Sequence, residues 1–177
     1  MANRRGGLPF CLLSFFAFGI GLAPFAFCPC LPLLYTPVGR LAVRDYVFFY
    51  GTLMTAFNRP GRQRVEARLS FVGRGRIRAA LFDLGIYPAA VPADDDSHVT
   101  GELYELLDGP AVLAVLDEIE GFRPNEPARS LYLRVRTGVT LESGETREAW
   151  AYFYNAPLGR AERISSGDYL EHLHRHV

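Results

Sequence analysis

The chain has 177 residues, 49% of them apolar and 13% aromatic, which suits one domain with a short extension and a substantial core. Its formal net charge is zero, yet all nineteen acids follow Val43 together with sixteen of the nineteen arginines, so that part carries about −3 and offers no basic field for nucleic acid. Every basic residue is arginine, which removes Schiff-base and phosphate-loop lysine chemistry.

Residues 1–42 read as an apolar extension. Arg4-Arg5 precede an apolar stretch from Leu8 to Leu34, and Gly6 to Gly39 contains no charged residue. Pro24, Pro29 and Pro32 interrupt it, leaving Leu8 to Ala23 uninterrupted, shorter than the about 20 residues a spanning helix needs. Two readings stand: a secretory signal or anchor, and, preferred, translated non-coding sequence ahead of a start at Val43. The second makes the protein cytoplasmic and the first an exported or anchored one. The three cysteines, Cys11, Cys28 and Cys30, all lie here, so the domain at residues 43–177 is expected to hold no disulfide, no catalytic thiol and no zinc.

Within the domain, Asp45 to Tyr50 is a run of aromatic and β-branched residues that predicts a buried strand stopping at Gly51. Thr55 to Arg68 leaves room for a short helix. Leu69 to Leu84 alternates throughout and predicts one long, half-exposed strand with glycine kinks. Gly85 to Val91 reads as a loop, Asp94 to Ser97 as a solvated turn, and Val99 to Leu107 as the next strand. Asp108-Gly-Pro110 opens a helix that Gly121 closes. Leu131 to Leu141 and Thr146 to Asn155 predict a hairpin around Glu142-Ser-Gly144, and Asp168 caps a terminal helix. Five or more strands with two or three short helices make the fold α+β, and a small mixed β-barrel with flanking helices is the expected architecture.

Three places combine strand ends, glycine and polar groups. Tyr50-Gly51-Thr52-Leu53 is a strand ending in a turn, which can aim backbone N–H groups at an anion, although such turns are also ordinary. Glu120 falls on the apolar stripe of its helix with Leu113 and Leu116; burial there would raise its pKa toward the range of a base working near neutral pH. A helix-end glutamate leaning into solvent is the alternative. Tyr132, Arg134, Trp150, Tyr152 and Tyr154 share a strand pair as core aromatics with one or two hydroxyls facing a pocket. His172, His174 and His176 alternate, which reads as a frayed tail rather than a metal site. No nucleophile elbow, dinucleotide loop or phosphate loop occurs.

In this order the pieces resemble the gamma-glutamylcyclotransferase family: Phe48-Phe-Tyr-Gly-Thr-Leu53, Gly85-Ile-Tyr-Pro88, Val99-Thr-Gly-Glu-Leu-Tyr104, Leu116-Asp-Glu-Ile-Glu-Gly-Phe122, Tyr132-Leu-Arg134, Ala149-Trp-Ala-Tyr152 and Ser166-Gly-Asp-Tyr169. The likeness covers Val43 to Tyr169 and none of residues 1–42. It implies a compact barrel with a pocket over Tyr50, Gly51, Thr52 and Leu53, whose backbone amides hold a glutamyl carboxylate, with Tyr132 as a further pocket residue. It implies that Glu120 takes a proton from the α-amine of a gamma-glutamyl amide, that 5-oxoproline forms by ring closure, and that no cofactor takes part. Asp117 and Glu118 read as ordinary variation. A small gamma-glutamyl compound is the implied partner, with neither nucleic acid nor, for the domain itself, membrane. The amide's identity, whether glutathione-derived, a dipeptide, or a polyamine or lysine adduct, is left open. A binding module that keeps the pocket without turnover is the alternative.

Overall fold

The computed structural model describes residues 44–175; both readings of the apolar extension fall outside them. Five strands close into a barrel in the order β1-β5-β2-β6-β7: β1 (Tyr46–Phe49), β2 (Leu69–Arg78), β5 (His98–Leu106), β6 (Tyr132–Leu141) and β7 (Thr146–Tyr154). Neighbours run antiparallel except where β1 meets β7, at Val47 and Trp150, in parallel. Closure leaves no exposed barrel edge. A second sheet of order β4-β3-β8 is built from β3 (Ala80–Asp83), β4 (Pro88–Val91) and β8 (Glu162–Arg163). The helices are α1 (Pro60–Gln63), α2 (Gly109–Glu120) and α3 (Tyr169–Arg175), and no helix among the described residues is long and apolar enough to cross a membrane.

The period-2 pattern decides what fills the core. Val47, Phe48, Ile77, Val99, Leu103, Val139, Ala149 and Ala151 are each at most 1% exposed, joined by Val112 and Leu116 of α2. Helix α2 starts at Asp108, whose side chain accepts from the Ala111 amide at 3.3 Å, and has Pro110 in the first turn. It ends in a Schellman motif: Gly121 adopts φ 63°, its N–H reaches the Glu118 carbonyl at 3.4 Å, and the Phe122 N–H reaches Asp117 at 2.9 Å. That ending puts Glu120 at the last helical position. Asp168 caps α3, accepting from the Leu170 and Glu171 amides at 2.9 and 3.1 Å.

Two expectations change. The stretch Leu69 to Leu84 is two strands in different sheets. The β5 register runs through Arg78 opposite His98 and on to the Ala79 N–H, which reaches the Ser97 carbonyl at 3.2 Å, and from Ala80 the chain pairs with β4 instead. The expected loop Gly85 to Val91 contains β4, with Pro88 at the first strand position, where a missing N–H costs least. β8 was not expected at all.

Candidate active site

A cavity of about 140 Å³ opens where β1 ends, lined by Tyr50, Gly51, Thr52 and Leu53 on one side, Ile119 and Glu120 on another, and Tyr87, Pro88, Leu131, Tyr132 and Tyr152 around the rest. Thus all six residues singled out in the sequence border one space. Leaving β1, the chain makes a tight turn closed by the Met54 N–H on the Gly51 carbonyl at 2.9 Å. The Thr52 and Leu53 amides occupy its middle and donate no hydrogen bond within the described residues. Backbone donors left open beside a cavity form a ready seat for an anion. Gly51 allows the turn to pass close to β4, since a β-carbon there would lie 2.8 Å from Pro88 Cγ.

Among the described residues, Glu120 is the sole charged group lining the cavity. Among the described residues its carboxylate makes no ion pair and no hydrogen bond, and burial alone pushes its pKa up to about 7. The tyrosines beside it stay protonated: burial, then neighbouring charge including Glu120, raises both Tyr50 and Tyr132. Their hydroxyls are committed to the protein. Tyr50 donates to the Tyr152 carbonyl at 2.6 Å, and Tyr132 donates to the Pro88 carbonyl at 3.0 Å. Tyr132 therefore presents its ring to the cavity, packed edge-on to Tyr87 and Tyr154, while tying β4 to the pocket.

Asp117 is more than ordinary variation. It accepts two hydrogen bonds from Arg134, at 3.0 and 2.8 Å, and one from the Tyr152 hydroxyl at 2.7 Å, which pins the end of α2 to β6 and β7. Arg134 in turn lies over Phe122 and Trp150. Sequence reading also passed over Arg62 and Glu102, two buried charged residues behind the turn. Glu102 had a signal, since its strand alternation turns it toward the barrel's neighbours; Arg62 sits in a polar stretch without periodicity and had none. The histidines do not converge: His172 Nε2 is 2.9 Å from an Asp83 oxygen, His174 is exposed, and His176 lies outside the described residues.

Comparison with known proteins identifies relatives in family and fold. Residues 47–171 match the family described as gamma-glutamyl cyclotransferase, AIG2-like. MJ1514 of Methanocaldococcus jannaschii is 32% identical over 130 residues, 72% of this chain and 98% of that protein. The gamma-glutamylcyclotransferase family protein YtfP of Escherichia coli K12 is 32% identical over 126 residues, 71% of this chain and 96% of that protein. The solution structure of ytfP from Escherichia coli superposes with a TM-score of 0.51 at 28% identity, over 72% of this chain and 97% of that one. An AIG2-like protein of Mus musculus shares the fold, with a TM-score of 0.52 at 22% identity over 71% and 88% of the two chains.

Proposed function

The chain belongs to the gamma-glutamyl cyclotransferase, AIG2-like family, and from that premise we propose that it converts a gamma-glutamyl amide to 5-oxoproline and a free amine. One observation carries the reading: an unpaired carboxylate with its pKa raised to about 7 shares a small cavity with a turn whose central amides are open.

The substrate's α-carboxylate sits on the Thr52 and Leu53 amides, which bind by oriented dipoles rather than by a lysine. Glu120, ionised, takes a proton from the α-ammonium, a transfer that its raised pKa makes less uphill. The freed amine attacks the γ-carbonyl carbon of the same molecule. A C–N bond forms and closes the five-membered ring, and the carbonyl electrons move to oxygen. As they return, the bond to the leaving nitrogen breaks, and Glu120 delivers its proton there. The second proton of the ring nitrogen passes through the same carboxylate to the departing amine, which leaves as an ammonium and returns Glu120 to its ionised form. Atoms and charge balance without an enzyme nucleophile. Holding the chain curled makes the attack intramolecular, worth up to about 7–11 kcal/mol of barrier in well-oriented cases. Tyr132 and Tyr87 form a wall that excludes water from the ring-closing face.

The test is 5-oxoproline release from glutathione, a gamma-glutamyl dipeptide, a gamma-glutamyl polyamine and a gamma-glutamyl-lysine adduct, run beside calorimetric titration of 5-oxoproline. Release from at least one compound is expected. Binding without release from any of them would replace the enzyme with a binding module. Neither binding nor release would remove gamma-glutamyl compounds from consideration.

A further inference from the structure

The Gly51–Thr55 segment is held from behind by two buried charges that do not pair with one another. Arg62, 5% exposed, donates through Nη1 to the Leu53 carbonyl at 3.0 Å, and its guanidinium lies 4.3 Å from the Tyr104 ring centre and 5.6 Å from that of Phe49. Its Nε is buried without a partner, and among the described residues it makes no salt bridge. Glu102, 8% exposed, meets Arg62 only across Tyr104, whose hydroxyl donates to it at 2.8 Å while the guanidinium lies over the same ring. Glu102 also accepts from the Thr55 amide at 2.9 Å and the Thr55 hydroxyl at 3.2 Å.

A guanidinium withdrawn from water that forms no direct salt bridge among the described residues is costly, and its field is poorly screened by the surrounding protein. Here the cation touches the carbonyl side of a turn whose free amides face the cavity. An anion seated on those amides would share the turn with the guanidinium. We propose that Arg62 is a positioning residue for substrate: it fixes the Leu53 carbonyl from outside the cavity, and the carboxylate held by the Thr52 and Leu53 amides is a second counter-charge beside Glu102. A pocket whose lining holds no cation thereby acquires affinity for an anion. The inference rests on the gamma-glutamyl reading of the pocket, and its consequences separate from that reading.

The test compares the full-length wild type with Arg62→Met, which keeps the apolar stem, and Arg62→Lys, which keeps the charge. Each is titrated with 5-oxoproline and with its uncharged amide, after circular dichroism has established that both variants fold. Arg62→Met is expected to weaken 5-oxoproline at least tenfold and the amide less than threefold, with Arg62→Lys recovering most of the loss. On a turned-over gamma-glutamyl compound, Arg62→Met raises KM at least tenfold with kcat within threefold. Equal weakening of both ligands, or no recovery by lysine, would reduce Arg62 to ordinary packing and overturn the proposal. Should the wild type bind neither ligand, the gamma-glutamyl reading falls. Arg62 is then judged by the Thr52 and Leu53 amide resonances of ligand-free protein: displaced or broadened in Arg62→Met they uphold the clamp, and unmoved they overturn it.

Discussion

The two sides of the last turn of α2 carry carboxylates three residues apart in opposite circumstances. On the side facing β6 and β7, Asp117 is saturated, with Arg134 and the Tyr152 hydroxyl upon it. On the side facing the cavity, Glu120 has no partner, and burial pushes it up to about 7. Glu118 stands between them in sequence, points into water and bridges Arg64 at 2.7 Å, which lowers its pKa. Burial is thus shared by two of the three, and partnership separates them. Asp117 spends its charge on holding the helix end, so that Glu120 can be placed precariously and kept there.

The contrast can be broken first at its reactive member. Glu120→Gln removes the proposed proton carrier with little change of shape, and 5-oxoproline release should fall by about 10³-fold or more, in the range of lost general acid–base catalysis. Calorimetry should find 5-oxoproline affinity within a few-fold of wild type; retained turnover would take the role from Glu120. Next comes the structural member. Asp117→Ala leaves Arg134 and Tyr152 without their acceptor in a largely buried place, and urea unfolding should register a loss of about 3 kcal/mol. An unchanged midpoint would mean that the ion pair does not secure the helix end.

A smaller effect sharpens the comparison through pH. Raising a carboxyl from 4.5 to about 7 corresponds to about 3 kcal/mol if fully expressed, and the residue's partial exposure reduces this to about 2 kcal/mol. Because the folded state holds its proton more tightly, the wild type loses this stability as pH rises from about 4.5 through about 7. Glu120→Gln does not titrate there. The variant should match the wild type near pH 4 and exceed it at pH 8, by urea unfolding at both; parallel stabilities across that range would deny the raised pKa. Smallest of all, Glu118→Ala should leave both turnover and the unfolding midpoint unchanged, as exposed bridges contribute little.

Much of this arrangement was legible in the sequence because it is local. Pro110, Asp108 and Gly121 mark both ends of α2, and the stripe through Leu113 and Leu116 places Glu120 on the inner side. The turn after β1 follows from an aromatic strand meeting glycine. Tertiary choices left no such trace. Alternation holds to Arg78 and gives way to the apolar run Ala79 to Phe82 with no Gly, Pro or other turn signal, so the passage from barrel to second sheet reads as one continued strand. β4 hides in a segment of Gly and Pro whose pairing with β3 depends on distant folding. Asp117 differs from Glu118 only in what β6 and β7 bring to it. Arg62 reads as a surface arginine until α1 folds against Tyr104.

Facing glycines on neighbouring strands, Gly75 and Gly101, impose a history on the family member seen here. A β-carbon on Gly101 would fall 2.2 Å from the Phe49 carbonyl oxygen and 2.7 Å from the Phe48 ring; one on Gly75 would fall 2.9 Å from the Thr140 carbonyl oxygen. No single substitution at either position is a small step, so the barrel behind the pocket cannot drift in bore by gradual change. Divergence in what the pocket admits is channelled instead to its margin, where Leu131 is 39% exposed and Ile86, next to Tyr87, is 73% exposed. Descendants of this sequence would inherit one pocket interior and differ at the rim, which is where selection for a new ligand would find room to act.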